Sequence, residues 1–289
     1  VNERDTIMQY LTGFNLPTQY DMDIYGLTSA YPFGVLYFKE LNHISFDRIT
    51  IFYGGNGSGK STLLNLLSDK LELPRRTTVD RTKEFIDFTR KCSVSLNTEE
   101  GVKKIPSGSK IITSEDIIDG ILAQRKENKS TGIKQEESYE EYNNLKYTPF
   151  QFTSIADFDQ LKKVNQTRSK TATKYIKLNA GEKTREFSNG ENALRFFDKE
   201  LTPGNVYLLD EPENSLSPKY QYELTKLLFD LTRFFDVQFV IATHSPFVLS
   251  LEGARIYNLD EEPVEIRRWE ELESIRFYHD FFLKRNHLF

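Results

Sequence analysis

Between Tyr53 and Lys60 the chain runs Gly54-Gly55-Asn56-Gly57-Ser58-Gly59, and no other stretch of the 289 residues restricts the fold as tightly. Its flanks differ in character. Before it, Arg48 to Tyr53 reads RITIFY, a short β-rich run. After it, Leu63, Leu64, Leu66, Leu67 and Leu71 recur at helical spacing. A strand feeding a glycine turn that opens into a helix is the context in which Gly54-x-x-x-x-Gly59-Lys60-Ser61 reads as a phosphate-binding loop. Glycines let backbone N–H groups converge on phosphate oxygens, and the start of the helix adds its positive end. Gly54, Gly55, Asn56, Gly57, Ser58, Gly59, Lys60, Ser61 and Thr62 are therefore the candidate nucleotide contacts. The Lys60 ammonium would reach the β- and γ-phosphates, and the Ser61 hydroxyl has the right length to ligate Mg²⁺.

Two later strands carry matching chemistry. Val206 to Leu209 is an apolar run that ends in Asp210-Glu211-Pro212-Glu213. A carboxylate at the end of a parallel strand beside such a loop is where Mg²⁺ is held, which assigns Asp210. Glu211 points elsewhere and is the candidate general base. Val237 to Ala242 (VQFVIA) is a second buried strand, ending in Thr243-His244-Ser245-Pro246. A lone histidine after a strand is more often a cap than a functional group. His244, however, follows Asp210 by one helix and one strand, so it should emerge on the same sheet edge. There it would meet the γ-phosphate and the attacking water. Upstream, Phe187-Ser188-Asn189-Gly190-Glu191 precedes a helix, with Ser188 as a good N-cap and Gly190 allowing close backbone approach.

The net charge of −5 excludes a globally basic nucleic-acid coat, and an aromatic content of 13% is ample for a core. One cysteine, Cys92, rules out an internal disulfide and a zinc cluster of cysteines. No apolar run is long enough to span a bilayer, and Val1 to Tyr10 lacks the pattern of a signal peptide, so a cytoplasmic protein is expected. Residues 1–30, broken by Gly13, Pro17 and Gly26, offer no firm element, whereas Val35 to Phe46 reads as β-type. The segment 125–147 is the most polar and reads as a mobile insertion or exposed arm. Segment 162–185 sets Lys162, Lys163, Arg168, Lys170, Lys174, Lys177, Lys183 and Arg185 against Glu182 alone. It is either a solvated helix pair or a phosphate-facing patch, for nucleic acid or for a bound nucleotide. A helix from Pro218, a third strand from Ala254 to Leu259 and a helical tail from Trp269 complete the reading.

In their order, Gly54–Ser61, Ser188-Asn189-Gly190-Glu191, Leu209-Asp210-Glu211-Pro212 and Thr243-His244-Ser245-Pro246 resemble the motifs of ABC-type ATPases. DEPENSLSP followed by IATHSP is more narrowly similar to small stand-alone ATPases of the OLD-related class, often labelled "AAA family ATPase". The resemblance covers about 35–75 and 185–289. It implies an α/β fold, a P-loop NTPase with an ABC-type head and a helical lobe inserted between P-loop and signature. The whole of 1–289 would be one ATPase domain, with a nucleotide-binding core at 31–77 and 201–289 and a helical signature lobe at 78–200. ATP is the implied substrate, Mg²⁺ the cofactor and a second copy of the chain the partner on ATP binding. Glu211, His244 and Lys60 would be catalytic, and Ser61 and Asp210 would hold Mg²⁺. Ser188, Asn189, Gly190 and Glu191 would be the signature that touches ATP held by the other subunit.

This element departs from the usual LSGGQ, with Asn189 for the first glycine and Glu191 for the glutamine. Ser215-Leu216-Ser217 would be the D-loop, with Ser217 where an Asp or His is usual. Glu115 stands in for the missing Q-loop glutamine as a further candidate metal ligand, with Gln151 the second candidate. Tyr37 or Phe38 would stack on adenine. The interval from Lys60 to Ser188 is too short for the long coiled coils of SMC proteins. The residues after Pro246 are too few for the nuclease domain of OLD-type proteins. Three readings compete: a soluble ATPase switch acting on a partner protein or nucleic acid, for instance in repair or defence, the nucleotide-binding subunit of a membrane transporter, and an ATP-sensing module that does not hydrolyse.

Overall fold

The computed structural model describes residues 8–25, 30–79, 81–151, 158–182 and 188–288. The strands are β1 (Leu11–Asn15), β2 (His43–Ser45), β3 (Ile49–Tyr53), β4 (Ser93–Leu96), β5 (Lys110–Thr113), β6 (Val206–Asp210), β7 (Gln238–Thr243), β8 (Arg255–Asn258) and β9 (Glu265–Arg267). The helices are α1 (Gln19–Tyr25), α2 (Phe33–Leu36), α3 (Lys60–Lys70), α4 (Lys83–Lys91), α5 (Ser114–Tyr147), α6 (Phe158–Arg168), α7 (Ala172–Ala180), α8 (Asn189–Glu200), α9 (Pro218–Phe234), α10 (Pro246–Leu249) and α11 (Glu273–Leu283).

The chain divides into two compact units, 1–118 with 189–289, and 119–188. The first holds both sheets. Its six-stranded sheet has the order β5-β6-β7-β3-β8-β9, parallel except for the β8–β9 pair. Every residue of β3 and β7 is buried, as expected of central parallel strands covered on both faces. Leu63, Leu64, Leu66 and Leu67 of α3 share one core with Phe52, Leu208 and Val240. A three-stranded antiparallel sheet, β2-β1-β4, packs Leu11, Phe14 and Ile44 into that same core.

Two polar side chains tie the two sheets together: Tyr257 Oη of β8 accepts from Ser45 N (2.8 Å) and donates to Ser45 O (3.0 Å) in β2. Gln238, wholly buried at the start of β7, donates to the carbonyls of Leu11 (2.7 Å) and Asp47 (3.0 Å). Its Oε1 accepts from the backbone N–H groups of Leu11 (2.8 Å) and Tyr10 (3.1 Å). The amide thus satisfies backbone groups that no ladder reaches.

Several expectations are corrected. Residues 1–30 do contain elements, β1 and α1. The β-type reading of Val35 to Phe46 fails over most of its length, because α2 and a 3₁₀ turn (Tyr37–Lys39) occupy its first part and only His43–Ser45 is strand. Phe33 and Leu36, three apart, are both buried, which is helical spacing. The helical lobe does not begin at 78. Residues 78–118 belong to the first unit, and β5 pairs with β6 in the main sheet. The lobe also ends at 188 rather than 200.

The polar stretch 125–147 is no separate insertion but part of α5, a single helix of 34 residues. Its Lys, Glu and Gln content favours helix, while its buried positions include Asn128, Gly132 and Ser138, so no apolar period announces it. Gly26, Phe187, Lys183 and Arg185 lie outside the described residues.

In the second unit the rings of Tyr142 and Tyr175 meet at 5.6 Å. Glu141 accepts from Tyr175 Oη (3.1 Å) and Lys163 Nζ (3.0 Å). Lys177 pairs with Glu182. Two of the basic side chains in 162–185 are therefore spent on neighbouring acids, while Lys174 is exposed.

Gln238→Leu keeps the volume but strands the Leu11 and Tyr10 N–H groups, while the Leu11 and Asp47 carbonyls keep Gln9 Nε2 and Thr50 Oγ1. It is expected to destabilise the fold by at least about 2 kcal/mol in urea unfolding, since each buried orphan costs ~1–3 kcal/mol. A loss below about 0.5 kcal/mol would show that the two sheets hold together without it.

Candidate nucleotide site

The strand register brings the motifs to one line. Thr113 of β5 pairs with Asp210 of β6, Asp210 with Ala242 of β7, and Ala242 with Phe52 of β3. One residue further, Thr243 pairs with Tyr53. The P-loop, the Asp210–Glu213 turn and His244 therefore all leave the sheet at the same edge, the C-terminal edge where α/β sheets bind ligands.

Gly59 closes the loop at φ +101°, a left-handed conformation open to glycine, and an added Cβ would sit 3.0 Å from Val35 Cγ1. Lys60, buried at the start of α3, donates to the carbonyls of Gly54 (2.8 Å) and Gly55 (2.9 Å). The Gly55 N–H donates to the Asp260 carboxylate (2.9 Å), just past β8. Ser58 Oγ is buried with no hydrogen-bond partner. An orphaned hydroxyl in a glycine-rich loop suits a phosphate oxygen.

Ser61 Oγ donates to Asp210 Oδ1 at 3.0 Å, so the two candidate Mg²⁺ ligands already touch. Burial pushes the Asp210 carboxyl up to about 6, with the neighbouring charges of Glu211 and Glu213 adding to it; Ser61 and Lys60 work against the rise. A pocket that crowds carboxylates in this way lacks positive charge, which a divalent cation would supply. One hydroxyl and one carboxylate fit Mg²⁺, which keeps most of its sphere for water and phosphate. Glu115 does not join them. It is exposed in the first turn of α5, and no group of three or more His, Cys, Asp or Glu among the described residues is placed to hold a metal. Its neighbour Asp116 is buried and accepts from Thr77 Oγ1 (2.9 Å) and Thr113 N (2.8 Å), a structural role. Gln151 is exposed beyond α5.

Glu211 adopts φ +47°, costly for a residue with a Cβ. Its N–H donates to Ala242 O (2.9 Å), and Asn214 Nδ2 donates to its Oε2 (2.8 Å). The kink sets Oε1 3.9 Å from Lys60 Nζ. His244 Nδ1 lies 3.8 Å from Oε1 of Glu211 and equally from Oε1 of Glu213. Glu213 was missed by the sequence reading, although the spacing D-E-P-E put a third acid on the turn.

Ser188 and Asn189 are exposed at the start of α8, while Gly190 is buried. A Cβ on Gly190 would lie 2.2 Å from the Tyr220 ring of α9, so helix packing accounts for this glycine. Glu191 sits in the first turn of α8. In the D-loop segment Ser215 has φ +69°, Leu216 is buried and Ser217 stands at the start of α9. Phe38 is exposed and Tyr37 donates to Asp23 (2.8 Å), so of the two aromatics Phe38 is the one with an open face.

A family profile described as "ABC transporter" matches residues 42–214. The chain belongs to the ABC-type ATPases. A second profile, "AAA domain, putative AbiEii toxin, Type IV TA system", matches 186–250 of this ABC-type ATPase. A Clostridium perfringens protein named "Putative ABC transporter ATP-binding protein" is 24% identical over 251 residues, spanning 84% of this chain and 75% of the relative. Among solved structures, the SMC head domain from Thermotoga maritima is 14% identical, covering 90% of this chain and 99% of its own, with a TM-score of 0.42. An ATP-binding cassette of an ABC transporter in its ADP conformation is 15% identical, covering 96% and 99%, also at 0.42. No helix among the described residues is long and apolar enough to cross a membrane.

Two predictions follow from this geometry. Between about pH 4 and 6 the folded chain alone keeps the Asp210 proton, so stability without Mg²⁺ or nucleotide should fall as pH rises through that window. Asp210→Asn should remove that part of the slope and unfold about 2 kcal/mol harder than the wild type at pH 7; equal stability at pH 7 would contradict the buried charge. Gly190→Ala should cost about 1–3 kcal/mol by overpacking. Tyr220→Ala in the same chain should recover most of that loss in thermal unfolding, and additive losses would disprove the contact.

Proposed function

We propose that this ABC-type ATPase hydrolyses ATP with Mg²⁺ as a homodimer that sandwiches the nucleotide, and that dimer closure switches a partner protein or nucleic acid in the cytoplasm. The observation that carries the reading is the convergence of Lys60, Ser61, Asp210, Glu211 and His244 on one sheet edge, with Ser61 3.0 Å from Asp210, and Lys60 and His244 3.9 and 3.8 Å from Glu211. Ser61 and Asp210 would hold Mg²⁺, which when bound offsets charge on the phosphates.

Lys60 needs only to trade the Gly54 and Gly55 carbonyls for phosphate oxygens. Glu211 takes a proton from the attacking water, and its strained backbone keeps the carboxylate turned toward the loop. His244 faces the terminal phosphate from the next strand. Ser188 supports the reading as the exposed residue at the head of α8, where it would reach ATP bound by the other copy. Among the described residues of this segment, the exposed Lys162, Arg168 and Lys174 and the half-exposed Lys170 are the basic side chains offered to a nucleic-acid partner.

A second reading, the nucleotide-binding subunit of a membrane transporter, is favoured by the name of the Clostridium perfringens relative. Capture of partners on a closed Glu211→Gln dimer separates the two: a membrane protein would support the transporter.

Two inactive proteins test the sandwich. Ser188→Arg spoils the signature surface and spares the P-loop side, whereas Glu211→Gln does the reverse. Each alone should be dead. In an equal mixture half of the dimers are mixed, and each of those has one intact site, so about a quarter of wild-type turnover should return. No recovery at any ratio, with subunit exchange verified, would place the whole reaction within one chain. ATP-dependent dimerisation without wild-type turnover would instead mark a sensing module.

A further inference from the structure

Glu213 is 3% exposed, yet it is a carboxylate. Its Oε1 accepts from Thr243 Oγ1 (2.5 Å), His244 N (3.1 Å) and Ser245 N (3.2 Å). This one oxygen gathers the donors of the whole turn that carries His244. Ser245 is held from the other side as well, its Oγ donating to Gln221 Oε1 of α9 (2.7 Å). The second oxygen, Oε2, is buried and accepts nothing. Burying a carboxylate is expensive, and an unused oxygen makes it more so. A neutral acceptor could serve the three donors equally well, so the turn alone does not explain the acid. The imidazole does: His244 Nδ1 stands 3.8 Å from Glu213 Oε1, a contact that a small rotation of the ring would close.

We propose that Glu213 is the positioning residue for His244. Oε1 pins the backbone of the turn. The carboxylate is the acceptor for Nδ1–H when the ring settles into its working orientation, which leaves the Nε2 lone pair to accept from the attacking water beside the terminal phosphate. The hydrogen bond made by one ring nitrogen decides what the other carries. Glu211 faces the same ring with Oε1 at 3.8 Å, but that oxygen also lies 3.9 Å from Lys60 Nζ, beside the P-loop, and is the one assigned to the water. The turn therefore gives one glutamate to the water and the other to the ring. This inference rests on the ATPase reading for the identity of the phosphate, but not for the geometry of the ring.

The test has two arms. In the first, turnover is measured for Glu213→Gln, His244→Ala and the double variant. Glu213→Gln should lower kcat about 10- to 100-fold, the scale for removing a group that orients a site residue from behind. ATP affinity and thermal midpoint should change little, because the amide oxygen still accepts the three donors. In the His244→Ala background the same substitution should cost nothing further. An equal loss in both backgrounds would show that Glu213 acts on the fold or on another group, and overturn the proposal.

The second arm needs no substitution at Glu213. The chain has four histidines, so the His244 ring can be assigned by a His244→Gln control. Long-range ¹H–¹⁵N spectra of the wild type, with and without Mg²⁺ and a non-hydrolysable ATP analogue, then show which nitrogen carries hydrogen. A protonated Nδ1 supports the proposal, and a bare Nδ1 in both states sinks it, even should Glu213→Gln fail to fold. A wild type that shows Nδ1–H but no ATP turnover would defeat the ATPase reading and leave the positioning role intact.

Discussion

In-register parallel pairing of β3, β6 and β7 sets every distance at the nucleotide edge. Each of these strands is buried along nearly its whole length, and the pairs run Phe52–Ala242 and Ala242–Asp210 without a bulge. The side chains that leave the strand ends are therefore placed by the sheet rather than by their own loops. A slip of one residue in β7 would turn Thr243 to the other face and carry His244 out of reach of both glutamates. The apolar character of these strands is thus a requirement of the chemistry as much as of the core.

Electrostatics at that edge run against the fold. Asp210, Glu211 and Glu213 fall within one turn, with Lys60 the cation set among them. The rise of the Asp210 carboxyl and the left-handed φ of Glu211 are both costs. Neither is needed to complete the sheet or the core. Such costs persist where a ligand repays them, and they gather here around the places assigned to Mg²⁺ and water.

The parts of the site legible in the sequence are those whose chemistry is written in consecutive residues. The glycine loop, Asp210-Glu211 and Thr243-His244 each combine a strand end with reactive side chains, so a short window suffices. Glu213 escaped because its partners, Thr243 to Ser245, lie a helix and a strand away, and only the paired strands bring them together. β1 and β4 escaped for a similar reason: they pair with each other across most of the first 100 residues. The long helix α5 was misread because its buried positions include Asn128, Gly132 and Ser138 as well as Ile117 and Ile121, so no apolar stripe marks it. Gly190 was read for its freedom at a nucleotide, and the ring of Tyr220 supplies a nearer reason.

Gln238 has a consequence for motion. β1, the central strand of the small sheet, begins at Leu11. Its first amide is donated not to a neighbouring strand but to a side chain rooted in the central sheet. Opening that amide to solvent therefore requires breaking the contact with β7, not merely peeling an edge strand. In hydrogen exchange, the Leu11 amide should belong with the slowest class, exchanging with the sheet as a whole. An amide of the small sheet would then report the global unfolding of the nucleotide-binding core.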